Sequence, residues 1–132
     1  MLNFKITTQL HKERVARAVH KTGFRNLFHA AASITKDAKA SIVPGRGPSA
    51  AGTPPHTGRR RKLQRAVRFD VDRENQIAVI GPRASFAGTS GAAHEFGGTY
   101  KAARFDERPF MQPALERAAP RFAGQWRGGL AK

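Results

Sequence analysis

Residues 67 to 82 read VRFDVDRENQIAVIGP, and this stretch decides the fold because it carries the clearest strand pattern in the chain. Val67, Phe69 and Val71 alternate with charged residues, which is the period of two expected of a strand with one buried face. A polar turn from Arg73 to Gln76 follows, and then an apolar run that a Gly-Pro pair ends. The sequence therefore predicts an antiparallel hairpin.

The chain before the hairpin begins with a helical pattern. From about Thr8 to Ile42 there is no proline, and apolar residues recur mostly every three to five positions. We predict a long helix over residues 8–42, or two helices separated near Gly23. Its basic residues lie mainly off the apolar face, so the outer side of the helix is positively charged.

An arm, residues 43–65, connects this helix to the hairpin. Half of residues 43–58 are glycine or proline, which disfavours regular structure. A loop of this length is usually a binding arm or a flexible segment. Its last part begins the basic strip, residues 59–68, which contains Arg59-Arg60-Arg61-Lys62 and then Arg65 and Arg68.

The sequence after the hairpin predicts short secondary-structure elements and one more long helix. Residues 83–98 are glycine-rich, with one helical turn expected over 92–96, and residues 99–105 are expected to add a third strand. Apolar residues at spacings of three and four predict a final helix that begins near Phe110. Pro120 falls inside this helix and predicts a kink.

These elements predict one α+β domain over residues 1–132: a long N-terminal helix, a small, mainly antiparallel sheet with a hairpin, and a C-terminal helix packed on the sheet. The predicted core residues are Phe69, Val71, Ile77, Val79, Phe110, Met111, Leu115 and Phe122.

The charge of the chain predicts anionic partners. Twenty-four Lys and Arg face nine Asp and Glu, a formal net charge of +15. The absence of cysteine excludes disulfides and thiolate metal sites. No apolar run approaches the roughly 20 residues that span a bilayer, and the first residues lack the apolar core of a signal peptide. We expect a protein that is made and used inside a cell, without a membrane partner.

The histidines do not form a metal-binding pattern. On one helix His20 lies opposite His11, while His29 lies on the side of His11 but roughly 27 Å along the axis. His94-Glu95 resembles the start of a zinc-protease helix, but Gly98 stands where the second histidine is required. Glu95 is expected instead to accept hydrogen bonds from backbone amides or to pair with an arginine, and Phe96 to fill the core.

Other catalytic patterns are missing as well. The short glycine motifs lack the ending of a phosphate-binding loop, and no serine lies in a nucleophile elbow. We predict no catalytic residue, no cofactor and no metal, and hence no enzyme. The basic strip has two interpretations of equal weight: a contact to nucleic-acid phosphates, or a docking strip for an acidic protein surface.

The order of motifs carries a resemblance. The chain contains GTPPHTG at 52–58 before the arginines, IGP at 80–82, HEFGG at 94–98 and RPFMQPALE at 108–116. Over about residues 50 to 120 it resembles the neck and tail-component family of tailed bacteriophages and prophages, the tail completion or head-tail joining proteins. Where that family usually shows a turn residue, a leucine and an arginine pair, this chain has the denser RRRKL at 59–63.

The resemblance implies a virion structural protein, assembled in the host cytoplasm, that forms a ring of roughly six or twelve copies. Its implied partners are further copies, the head-closure or connector protein, the tail terminator or tail tube, and DNA passing through the channel. The alternative is a non-sequence-specific nucleic-acid-binding protein that acts through the basic strip, residues 59–68. The predicted interface residues are Pro54, Pro55, His56, Arg59, Arg60, Arg61, Lys62, Arg65, His94, Glu95, Phe96, Gly97 and Gly98.

Overall fold

The computed structural model of the chain describes residues 12–130, without the side chains of Tyr100 and residues 127–130. The predicted helix start at residues 8–11 lies outside this range. The elements in chain order are α1 (Lys12–Ser41), α2 (Lys62–Ala66), β1 (Val67–Asp72), β2 (Ile77–Pro82), α3 (Ala84–Ala87), α4 (Ser90–Phe96), β3 (Gly98–Tyr100), β4 (Ala103–Phe105) and α5 (Met111–Leu130). The α+β class with its long N-terminal helix, hairpin and C-terminal helix is confirmed.

Helix α1 is one continuous helix of 30 residues, so the break near Gly23 does not occur. Gly23 is buried, and a Cβ atom there would lie 2.9 Å from the ring of Trp126. The glycine therefore allows the end of α5 to approach α1 closely, at the cost of a lower helix propensity.

The predicted hairpin is confirmed, and its register corrects part of the predicted core. Phe69 lies opposite Ile80 and both are half-buried, while Asp70 lies opposite Val79. Because directly opposite residues point to the same face, Val79 lies beside the outward aspartate. Val79 is 69% exposed and Ile77 is 54% exposed, so their assignment to the core was wrong.

The core lies where α1, α2, β1 and α5 meet. Its buried members are Ile34, Ala38, Ile42, Leu63, Val67, Phe110, Ala114 and Ala118. The predicted core position of Phe110 is confirmed, and Met111 and Phe122 pack partly buried around the cluster. Leu115 was wrongly assigned, because Ala114 and Ala118 form the buried side of α5 and leave Leu115 45% exposed.

The Gly/Pro arm folds back onto the domain instead of extending from it. The Thr57 N–H donates to the Val43 carbonyl at 2.9 Å, which holds the two ends of the loop together. In its middle, the Gly52 N–H donates to the Glu107 carbonyl at 2.9 Å, and Arg108 Nε donates to the Ser49 carbonyl at 2.8 Å. The arm is thus a compact Ω-type loop.

The predicted third strand is instead a second hairpin, β3–β4, in a sheet of its own. Lys101 and Ala102 have φ of 47° and 62° and form its two-residue turn. Such a turn requires positive φ at both central residues, and neither residue type indicates this in the sequence. After it, α5 continues through Pro120 without ending.

Candidate functional site: a basic groove beside an apolar pocket

Glu95 joins α4 to the start of α5. Its Oε2 accepts hydrogen bonds from the N–H groups of Phe110 at 3.0 Å and Met111 at 2.9 Å, and its Oε1 from the Gln112 N–H at 2.8 Å. These amides have no partner within the helix, and a carboxylate also favours the positive end of the helix dipole. The expected hydrogen bonding of Glu95 to backbone amides is confirmed, and its role is to hold the fold.

His94 lies half-buried between the same elements. Its backbone carbonyl accepts a hydrogen bond from the Arg108 N–H at 2.6 Å. Burial lowers the pKa of the His94 imidazole, and the nearby Arg108 guanidinium lowers it further. The side chain therefore favours its neutral form where it borders the groove described below.

The residues after Glu95 turn the chain towards β3. Gly97 has φ of 64°, and a Cβ atom there would lie 2.9 Å from the Glu107 nitrogen, so the position favours glycine. Gly98 has φ of 118° and is exposed. Phe96 does not fill the core as expected: it is 79% exposed and available to a partner.

A basic groove of about 490 Å³ lies between the arm and the two short helices α3 and α4. One wall is the arm from His56 to Leu63. The other consists of Phe86 and Ala87 on α3 with Ser90 and His94 on α4. The fold thus brings His56, the first four residues of the basic strip and His94 to one surface.

A smaller apolar pocket of about 300 Å³ adjoins the basic groove. Ala87, Ser90 and His94 line both, so the two spaces lie side by side. Ala93 and Phe105 complete its apolar lining. Sequence reasoning missed Phe86, Ala93 and Phe105, because isolated apolar residues in short elements give no periodic signal.

The cations of the groove lack counter-charges within the described residues. Arg59, Arg60, Arg61 and Lys62 are all exposed, and no carboxylate lines the groove. Among the described side chains the ion pairs are Arg108–Asp106 at 3.9 Å and Arg121–Asp37 at 3.2 Å, both elsewhere. The groove therefore presents a local positive field that favours an anionic ligand.

Seven predicted interface residues do not line this groove: Glu95 to Gly98, described above, and Pro54, Pro55 and Arg65. Pro55 is fully buried within the chain, so it is not available for contact with another subunit. Pro54 is half-buried, and Arg65 is exposed on α2 but does not line the groove. The motif GTPPHTG therefore serves partly to pack the arm.

Over residues 12–130, no three histidine or carboxylate side chains gather as a metal site requires, and no helix has the length and apolarity needed to cross a membrane. Comparison of the chain with protein-family models, with curated proteins and with solved structures finds no match in any of the three. The resemblance to phage neck proteins thus stays a prediction.

Proposed function

We propose that this chain is a non-enzymatic structural protein that forms a ring in the neck of a tailed phage or prophage particle and joins the head connector to the tail. The observation that carries the proposal is that the most distinctive motifs of the chain supply hydrogen bonds that hold the fold together. Glu95 holds the start of α5, and Arg108 ties the arm to the same loop. Both side chains hold backbone segments in place. This use of polar residues supports a structural role in an assembly.

The outer face of the first hairpin supports self-association. Ile77 and Val79 lie two residues apart on β2 and are both exposed. Among the described residues β1 and β2 form a two-stranded sheet, so each strand keeps one edge that another strand can pair. Apolar side chains beside an unpaired edge are suited to contact with a second copy.

The net charge sets a condition on such a ring. Every added copy brings a formal charge of +15, and like charges repel at close distance. A closed ring therefore needs screening by salt, DNA in its channel or acidic neighbours above and below.

Mass photometry and negative-stain electron microscopy of the purified chain at high salt test the proposal. We expect closed rings of one size at high protein concentration. Val79→Asp, which places a charge on the exposed sheet face, is expected to abolish them. Val43→Asp is the matched control, because Val43 is a 49% exposed valine in the arm. A chain that stays monomeric at every concentration and salt contradicts the proposal.

The second candidate function is non-specific nucleic-acid binding, favoured by the four exposed cations of the groove. Titration of duplex DNA over a series of salt concentrations distinguishes the two functions. Monomers that bind DNA with a steep salt dependence support the second candidate, since neutralised phosphates release counterions. Rings with little affinity for DNA reject it.

A further inference from the structure

We infer that the basic groove and the apolar pocket together bind an extended acidic peptide that carries an apolar side chain, supplied by a neighbouring protein of the neck. The inference rests on the proposed function only for the source of the peptide. The binding chemistry follows from the groove itself.

The charge of the groove selects an acidic occupant. Arg59, Arg60, Arg61 and Lys62 stand along one wall, and within residues 12–130 none of them makes an ion pair. A ligand that brings carboxylates supplies the missing counter-charge, and each arginine offers paired donors that match a carboxylate. His94 on the opposite wall favours its neutral form and adds no second row of cations.

The adjoining pocket selects an apolar side chain next to the acidic residues. Its space of about 300 Å³ is bordered by Ala87, Ala93 and Phe105, and Phe105 is 41% exposed. A leucine or phenylalanine of the ligand removes this apolar surface from water. Because the two spaces share Ala87, Ser90 and His94, both parts of one short peptide reach their sites together.

A peptide fits this pair of sites better than a nucleic acid. The bases of a polynucleotide carry several hydrogen-bond donors and acceptors on their edges, and burying one beside Ala87, Ala93 and Phe105 leaves most of these unsatisfied. An apolar side chain has no such groups to satisfy.

The walls of the groove are held in place before any ligand arrives. The Arg83 N–H at the start of α3 donates to the Ala66 carbonyl at the end of α2 at 2.9 Å, which links the two walls. The Arg61 N–H donates to the Gly58 carbonyl at 2.9 Å and holds the turn that carries the arginines. A preformed groove loses little conformational entropy on binding.

Fluorescence anisotropy with labelled peptides tests the charge half of the site. The probe is a run of glutamates followed by one phenylalanine, titrated with the full chain. The double variant Arg59→Glu and Arg60→Glu is expected to weaken binding at least about tenfold. Arg14→Glu with Arg17→Glu makes the same charge change on α1, at the end far from the arm, and is expected to weaken binding less than about threefold.

The same titration tests the apolar half. A probe with serine in place of its phenylalanine is expected to bind at least about fivefold more weakly. Ala93→Gln fills the pocket without changing charge. It is expected to weaken binding of the phenylalanine probe and to leave binding of the serine probe unchanged. Ala92→Gln is the matched control, because Ala92 is exposed on the same helix. Circular dichroism melts confirm that each variant is folded.

Three results overturn the inference: equal losses in both double variants, equal binding of the two probes, or tighter binding of a single-stranded oligonucleotide of the same charge that the groove variants abolish. The last result assigns the groove to nucleic acid. Ring formation is measured separately by electron microscopy. Peptide binding without rings therefore contradicts the proposed function alone, and rings without peptide binding contradict this inference alone.

Discussion

At the scale of single residues, the polar groups with the most partners connect segments that are distant in sequence. Glu95 accepts three backbone hydrogen bonds from the start of α5, and Arg108 donates to the carbonyl of Ser49 in the arm. The sequence left two kinds of partner open for Glu95, backbone amides or an arginine. It did not indicate which amides donate, because those amides become neighbours only when α4 and α5 meet.

Replacing Glu95 with alanine is expected to lower the free energy of unfolding by about 1–3 kcal/mol, because the amides at the start of α5 lose a charged acceptor. Glu95→Gln retains one carbonyl oxygen as an acceptor and is expected to lower the free energy of unfolding by less. Urea denaturation followed by circular dichroism measures both changes.

The control for this prediction is Glu116→Ala. Glu116 is exposed on α5 and accepts a hydrogen bond from the Gln112 side chain at 3.0 Å. Such an exposed pair contributes about 0.5 kcal/mol or less. Equal destabilisation by the two alanine variants would show that Glu95 has no special role at the start of α5.

At the scale of elements, the first hairpin shows how a correct strand prediction still misplaced side chains. The pattern predicted both strands, but β2 is apolar on both faces and does not reveal which face is buried. The register settles this, since Asp72 lies opposite Ile77 across the turn. Ile80 faces the core, and Val79 faces outward beside Asp70.

Two neighbouring substitutions test this register. Ile80→Thr is expected to lower the free energy of unfolding by about 1–3 kcal/mol, because Ile80 packs against the core cluster. Val79→Thr retains a β-branched side chain on the exposed face and is expected to change the free energy of unfolding by less than about 0.5 kcal/mol. Urea denaturation of the two variants measures the difference, and the reverse order of effects would mean that the strand is shifted by one residue.

At the scale of the whole molecule, positive charge dominates the surface. The formal net charge is +15, and α1 alone carries exposed cations such as Lys12, Arg14 and Arg17. Repulsion between such charges opposes a compact state and is screened over about 10 Å at 0.1 M salt. Stability and assembly of the chain are therefore both expected to depend on ionic strength.

Raising sodium chloride from low to near-molar concentration is expected to raise the unfolding temperature by a few degrees, because screening weakens this repulsion. Differential scanning calorimetry measures the shift. The double variant Arg14→Gln and Arg17→Gln removes two of the charges and should show a smaller rise. A fall in unfolding temperature with salt would mean that attractive ion pairs outweigh the repulsion.

The sequence by itself determined the α+β class, the first hairpin and the two long helical regions, because periodic patterns of apolar residues depend only on the local geometry of helix and strand. It also placed the basic strip. Only the tertiary structure decided that the arm folds back, that Pro55 is buried, and that the strip shares a groove with His94. Those features depend on contacts between segments distant in the chain, and local patterns carry no information about which segments meet.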